Sequence, residues 1–304
     1  MNEIIVIGSM NMDLVVNTDR YPRKGETVLG NEFNQIPGGK GANQALAAGK
    51  LGADVGFIGV CGNDNYGDIL LSTLKEGGVE ISRVKKVEGN TGIAAITIES
   101  DGDNRIIVVP GANYSLTPEI IANNEDIIKQ AKVILLQLEI PLNTVEKAVS
   151  IAGKYDTQVI LDPAPAQNLS ESLYNSIDYL LPNEGELKDL FLKRNSSNKL
   201  KDSEIVEKLL QLGVKNLVVT RGSDGITVYD KSGLNKYPAV KVDPVDTTAA
   251  GDAFAGALAL GLQNEWKQEK IYNFANKVAA LSVTRMGAQS SLPTLKEVKN
   301  FKTN

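Results

Sequence analysis

The feature that most constrains this chain is an alternation in its second half. Val133 to Leu138 is an apolar run broken only by Gln137, the pattern of a strand buried on both faces. Pro141 opens a helix-like stretch to Gly153, with proline at a tolerated first-turn position. Strands are predicted over Gln158 to Leu161 and Tyr179 to Leu181, and a helix from Glu184 to about Phe191. A polar loop over Lys193 to Lys201, a helix over Ser203 to Leu212 and a strand over Asn216 to Thr220 follow. Strand and helix in repeated alternation bury their apolar faces as a mostly parallel sheet covered by helices on both sides, so the predicted class is α/β.

The first half adds a second kind of structure. Ile4 to Ile7 and Val55 to Val60 read as buried strands, Lys40 to Leu51 as an Ala-rich helix and Tyr66 to Lys75 as another. Two segments lack helical periodicity. One contains Leu14-Val15-Val16 and Thr27-Val28-Leu29 with Pro22 and Gly25 between them. The other, Ile93 to Val109, reads as a hairpin turning at Asp101-Gly102-Asp103-Asn104. Together they predict a small β lid, about 14–37 and 92–110, on a single α/β domain spanning 1–304.

Composition removes several function classes. The 304 residues contain no histidine, which excludes a His general base, a His metal ligand and a Ser-His-Asp triad. One cysteine, Cys61, leaves no internal disulfide and no Cys-based zinc site, and its apolar surroundings predict a buried thiol. With 32 Lys+Arg against 37 Asp+Glu the net charge is −5, a poor balance for nucleic-acid binding. The start lacks a basic signal-peptide region and no apolar run reaches the roughly 20 residues of a membrane span. The expectation is a cytoplasmic protein with neither nucleic-acid nor membrane partners.

Three motifs could carry chemistry. Gly8-Ser9-Met10-Asn11-Met12-Asp13 follows the first strand without the glycines of a dinucleotide fingerprint, which sets aside a dehydrogenase. Asn11 and Asp13 share one side of an extended chain, where they either make Asx turns or offer a donor and acceptors to a diol. Gly38-Gly39-Lys40-Gly41-Ala42-Asn43-Gln44 opens a helix; it is not a Walker A sequence and is either a tight turn or a close backbone approach to a ligand. Asp246-Thr247-Thr248-Ala249-Ala250-Gly251-Asp252 runs into an apolar helix. Its small residues leave first-turn amides unshielded, an anion hole, and two Asp and two Thr exceed what a helix cap requires.

Weaker signals lie at other strand ends. Asn183-Glu184-Gly185-Glu186 is an acidic helix start or a ligand contact. Thr220-Arg221-Gly222-Ser223-Asp224-Gly225 is a tight turn or a backbone surface for a nucleotide, and Glu139 is a solvated loop acid or part of a site.

The two glycine-containing motifs at 38–43 and 246–252, in this order and across this alternation, resemble the paired signatures of the ribokinase (PfkB-type) sugar-kinase family. Gln137-Leu138-Glu139, Asp162-Pro163-Ala164-Pro165-Ala166 and Arg285-Met286-Gly287-Ala288-Gln289 resemble further segments of it. The resemblance implies that ATP phosphorylates O5 of D-ribose, with Asp252 as the base and the amides of Ala249, Ala250, Gly251 and Asp252 as the anion hole. It implies sugar contacts from Asn11, Met12, Asp13, Gly39, Lys40, Gly41, Ala42, Asn43 and Glu139. It implies ATP contacts from Asn183, Thr220, Arg221, Gly222, Ser223, Asp224, Gly225, Gly251, Asp252 and Asn276, with Glu186 near Mg²⁺ through water. An activating K⁺ would lie among Asp246, Thr248, Ser282, Arg285, Gly287 and Ser291, and the lid would close the site and pair with a second copy of the chain.

One position departs from the resemblance. Many members carry Gly-Ala-Gly-Asp where this chain has Ala249-Ala250-Gly251-Asp252, and Ala249 disfavours positive φ. An ordinary helical first turn is therefore expected there. Phosphoryl transfer suits a chain without histidine, because it needs positioning and charge stabilisation more than covalent chemistry from the protein. The competing expectations are the same chemistry on 2-deoxyribose, fructose or a nucleoside, and a non-catalytic sugar-binding protein, which would not need Asp252.

Overall fold

The computed structural model describes residues 2–192 and 201–302. Among the described residues, thirteen strands form two sheets. In chain order they are β1 (Ile4–Ile7), β2 (Asn11–Thr18), β3 (Gly30–Gly38), β4 (Val55–Gly62), β5 (Val84–Val87), β6 (Gly92–Glu99) and β7 (Asn104–Val109). The second half supplies β8 (Val133–Leu136), β9 (Gln158–Leu161), β10 (Tyr179–Leu180), β11 (Asn216–Thr220), β12 (Ile226–Asp230) and β13 (Gly233–Tyr237).

The large sheet runs β13-β12-β11-β10-β9-β8-β1-β4-β5, parallel except where β12 pairs antiparallel with β11 and β13. Its central strands divide their side chains between two apolar layers. Ile4 and Val6 of β1 and Val133 and Leu135 of β8 join one core, and Ile5, Ile7, Ile134 and Leu136 join the other. That division is why these strands read as unbroken apolar runs. From β1 the chain moves to β4 on one side, then returns to β8 on the other. The switch point of the sheet therefore lies at β1 and β8, and open α/β sheets bind ligands beyond the carboxyl ends of such strands.

The small sheet has the order β3-β2-β6-β7. Three of its strands lie inside the predicted lid segments, but β2 begins at Asn11 rather than Leu14, and Thr27-Val28-Leu29 is not strand: β3 starts at Gly30. Leu29 is 89% exposed, so nothing packs on its side chain to hold an extended ladder there. The hairpin turns where expected, with Gly102 at φ 92 and the Gly102 amide donating to the Glu99 carbonyl at 2.9 Å.

Predicted helices appear at Lys40–Lys50, Asn65–Glu76, Leu142–Ala152, Glu184–Leu192 and Asp202–Gln211. Pro141 is the N-cap of its helix, not a first-turn residue. The predicted loop at 193–201 falls on residues 193–200, outside the described residues, apart from Lys201, which caps the next helix.

The helix Ala250–Gln263 packs against Lys40–Lys50 through Gly256. A Cβ at Gly256 would stand 2.7 Å from Ala47 Cβ and 2.8 Å from the Gln44 carbonyl. Glycine at this crossing is what lets the two helices that carry Asn43 and Asp252 touch.

Candidate active site

The carboxyl ends of β1, β8 and β9 meet the starts of two helices here. Chain leaving β1 gives Ser9 and Asn11, chain after β8 gives Gln137 and Glu139, and Asp162 follows β9. The helix Lys40–Lys50 supplies Lys40, Asn43 and Gln44, and the helix Ala250–Gln263 supplies Asp252.

Glu139 is the acceptor at one end. Its Oε2 accepts from Ser9 Oγ at 2.6 Å, the Lys40 backbone amide at 3.2 Å and Asn11 Nδ2 at 3.4 Å. Asn11 is held in turn by Asn113, whose Nδ2 donates to Asn11 Oδ1 at 2.7 Å and to the Met10 carbonyl at 3.1 Å. Asn11 and Asp13 lie two residues apart on β2, so they share a face. Asp13 stands in the narrow gap against Gly38, whose Cβ would lie 2.4 Å from Asp13 Oδ2. Burial, and then the negative charges of Glu139 and Asp252, push the Asp13 carboxyl up to about 7.

The glycines of 38–41 serve close approach within the chain. Gly39 caps the helix at φ 88, a conformation that favours glycine, and its Cβ would lie 2.6 Å from the Asn11 amide nitrogen. Met12 and Ala42 turn away from this cluster and bury their side chains in the core, so only their backbones lie at the site.

Asp252 is 5% exposed and both its oxygens are engaged. Asn43 Nδ2 donates to Oδ2 and Gln44 Nε2 to Oδ1, each at 2.9 Å. Gln44 Nε2 also donates to Asp162 Oδ2 at 2.8 Å, and Lys40 Nζ pairs with that same oxygen at 3.3 Å. Burial would discharge the Lys40 ammonium, but Asp162, Asp252 and Glu139 outweigh it and raise Lys40 above its ordinary range. Burial pushes Asp162 up to about 7 against the pull of Lys40. Asn43 Oδ1 is buried with no partner among the described residues, an acceptor available to a ligand hydroxyl.

Beside Asp252 the helix start is bare. Gly251 has neither positive φ nor any atom within 4 Å of its Cβ position, so no contact within the chain demands glycine there. Ala249 corrects the expectation of an ordinary helical turn: it is the N-cap, left-handed at φ 60 and ψ 10. Its Cβ costs about 1–2 kcal/mol in that conformation. The neighbouring turn compensates, since the Ala249 carbonyl accepts from Ala253 N at 2.8 Å and the Ala250 amide donates back to Thr247 O at 3.3 Å.

Upstream of this turn, Asp246 accepts from the amides of Thr248 and Gly287, each at 2.8 Å. Burial works against its ionisation, yet these bonds hold the Asp246 carboxyl below the usual range. Ser282 and Ser291 are fully buried, and their hydroxyls donate to the carbonyls of Ala279 and Ala288. The Arg285 guanidinium is not turned toward Asp246; it pairs with Glu297 at 2.6 Å, leaving only the Arg285 main chain near this loop.

The remaining predicted residues gather along β10 and β11. Asn183 and Glu186 cap the helix Glu184–Leu192 reciprocally, at 2.9 and 2.8 Å. Asn183 bridges Thr220, and Arg221 pairs with Glu184. Gly222, Ser223 and Asp224 form one 3₁₀ turn closed by Gly225. Asn276 donates to the carbonyls of Tyr237 and Pro238, the backbone against which Gly225 also packs. Reading the motifs alone missed Ser9, Gln44, Asn113, Gln137 and Asp162. Gln44 sat inside a quoted motif and Asp162 directly after a predicted strand, so position was a signal for both; Asn113 had none.

The profile of the pfkB family of carbohydrate kinases matches residues 1–295. The chain is 40% identical to the ribokinase of Lactococcus lactis over 98% of this chain and 96% of that one. Its fold is similar to the crystal structure of ribokinase from Thermotoga maritima (TM-score 0.90, 40% identity, 98% of both chains). It is also similar to Arabidopsis thaliana ribokinase complexed with ribose and ATP (TM-score 0.91, 33% identity, 99% of this chain and 100% of that one). With a β1–β8 switch point ringed by buried carboxylates, a bare helix start beside Asp252 and a family match over nearly all its length, this chain belongs to the PfkB family of carbohydrate kinases.

Proposed function

We propose that the chain transfers the γ-phosphoryl group of ATP to O5 of D-ribose, as one α/β unit spanning 1–304 with the small sheet as its lid. The observation that carries the reading is the placement of Asp252: a buried carboxylate oriented by two amide donors, at a helix start where Gly251 opens onto space. Asn11, Asp13, Asn43, Glu139 and the backbone of Gly39 to Ala42 hold the sugar hydroxyls. Asp252 takes the O5 proton as the O5–phosphorus bond forms and the bond from phosphorus to the β–γ bridging oxygen breaks. Its two amide contacts use two of the four lone-pair positions of the carboxylate, leaving others for the hydroxyl. Lys40 and the amides of Gly251 and Asp252 stabilise charge on the moving phosphoryl group, the Ala250 amide being engaged by the Thr247 carbonyl. The lid excludes water, which would otherwise compete with ribose as acceptor. An ATP-coupled assay across pentoses, hexoses and nucleosides tests the reading. Ribose turning over fastest supports it; retained sugar binding without turnover on any of them refutes it.

ATP lies along Asn183, the Thr220–Gly225 turn and Asn276 in this reading. Among the described residues no three His, Cys, Asp or Glu side chains cluster to hold a metal ion. That donor set fits Mg²⁺ carried chiefly by the nucleotide phosphates and water, which neutralises charge between the phosphates, with Glu186 reaching it through water. The carboxylate, hydroxyls and carbonyls around Asp246, Thr248, Ser282, Gly287 and Ser291 are all-oxygen donors suited to K⁺, which would steady the anion-hole turn. Potassium is therefore expected to raise kcat above its value in sodium; equal rates at matched ionic strength would refute the cation site.

Asp13 sets a pH dependence. Its carboxyl titrates near 7, raised above the ordinary value, and its ionised form accepts sugar hydroxyls. Ribose affinity is expected to weaken as pH falls below 7, by about tenfold per unit once the proton dominates. Calorimetric titration with ribose from pH 8 to 5.5 measures this, and Asp13→Asn is expected to flatten the curve.

The lid also implies a partner. Ile106, Ile107, Val108 and Val109 of edge strand β7 are between 44% and 64% exposed, and Phe33 on the opposite edge strand is 56% exposed. Exposed apolar edges invite pairing, and a second copy of the chain covers them symmetrically. Light scattering at low micromolar concentration is expected to give twice the monomer mass; a monomer mass contradicts the pairing.

A further inference from the structure

We infer that Gln44 is a positioning residue for Asp252, which it orients through an amide bridge anchored on Asp162. The inference rests on the reading of Asp252 as proton acceptor. Gln44 is fully buried, and its Nε2 spends both hydrogens, on Asp162 Oδ2 at 2.8 Å and on Asp252 Oδ1 at 2.9 Å. Its Oε1 accepts from Gln137 Nε2 at 2.6 Å. The two carboxylates fix which way the Gln44 amide faces, and the Gln137 amide meets its oxygen. Turned over, it would aim oxygen lone pairs at two carboxylates and set its NH₂ against the NH₂ of Gln137. Gln137 is wedged in turn: Gly8 opposes its Oε1, and a Cβ there would lie 2.0 Å away.

The bridge does what Asn43 cannot do alone. One donor on Oδ2 leaves the carboxylate free to rotate about its last torsion, whereas donors on both oxygens from neighbouring residues of one helix fix its plane. The anchor is also independent of substrate. Lys40 shares Asp162 Oδ2 with Gln44, so when Lys40 turns to an incoming phosphoryl group, Asp162 keeps the Gln44 donor and Asp252 keeps its orientation. A neutral amide that donates to both carboxylates lets them sit close without a second cation.

Gln44→Met, similar in length and unbranched but without donors, tests this. We expect kcat to fall by about 10- to 100-fold with ribose KM changed less than about threefold, the scale of a misoriented reacting group. Gln137→Met, which touches neither carboxylate but removes the donor to Gln44 Oε1, is expected to lower kcat in the same direction by less. It carries the test should Gln44→Met fail to fold. A wild-type kcat, or a loss confined to KM, overturns the proposal. Asp252→Asn measured alongside separates the two claims: if it retains kcat, the assignment of the base fails; if it loses kcat while Gln44→Met does not, only the positioning role fails.

Discussion

Asp252→Asn is expected to lower kcat by about 10²–10⁴-fold, the usual scale for loss of a general base, while ribose affinity changes far less. The sugar keeps Asn11, Asp13, Asn43 and Glu139. The folded state is expected to persist with a cost. Both oxygens of Asp252 accept from amide NH₂ groups, so the new Nδ2 meets a donor unless Asn43 turns its unpartnered Oδ1 toward it. One lost hydrogen bond at a buried position is worth about 1–3 kcal/mol. A thermal melt beside steady-state kinetics separates the two effects. A variant that melts near the wild-type temperature and keeps near wild-type kcat would make Asp252 a helix cap and nothing more.

Gly256→Val is expected to damage stability and activity together. The added carbons would meet Ala47 Cβ at 2.7 Å, the Gln44 carbonyl at 2.8 Å and the Ala48 amide nitrogen at 2.9 Å. Two of those three atoms are backbone and cannot rotate away, so the helices Lys40–Lys50 and Ala250–Gln263 must separate. Overpacking of this kind costs about 1–3 kcal/mol, and the separation draws Asp252 off Asn43 and Gln44. The expected result is a lowered denaturation midpoint with reduced kcat in the fraction that remains folded. An unchanged midpoint would mean that the helix crossing is looser than it stands here.

How far these features were legible depends on whether local pattern or distant contact decides them. β1, β8, β9 and β11 were readable because burial on both faces writes itself as three or four consecutive apolar residues. β13 was not, because Gly233–Tyr237 is an exposed, polar edge strand held by its partner rather than by its own apolar content. The helix Gln268–Ser282, absent from the expectations above, carries a readable signal: Ile271, Tyr272, Ala275 and Val278 bury one face at helical spacing. Asp13, Glu139 and Asp252 announced themselves at strand ends and a helix start. The Asp162–Gln44–Asp252 bridge did not, since it joins residues 118 and 208 positions apart and nothing local requires it. Ala249 misled for the opposite reason. Local preference forbids φ near +60 for alanine, and the surrounding turn overrides it.

Proton-coupled phosphorus NMR of the product formed from ATP and D-ribose tests the central claim most directly. Transfer to O5 places phosphorus next to the two C5 protons, so the account predicts a sugar phosphate resonance split into a triplet and growing as ATP is consumed. A doublet, from phosphorus on a carbon bearing a single proton, or ATP consumed with no sugar phosphate resonance at all, would contradict it.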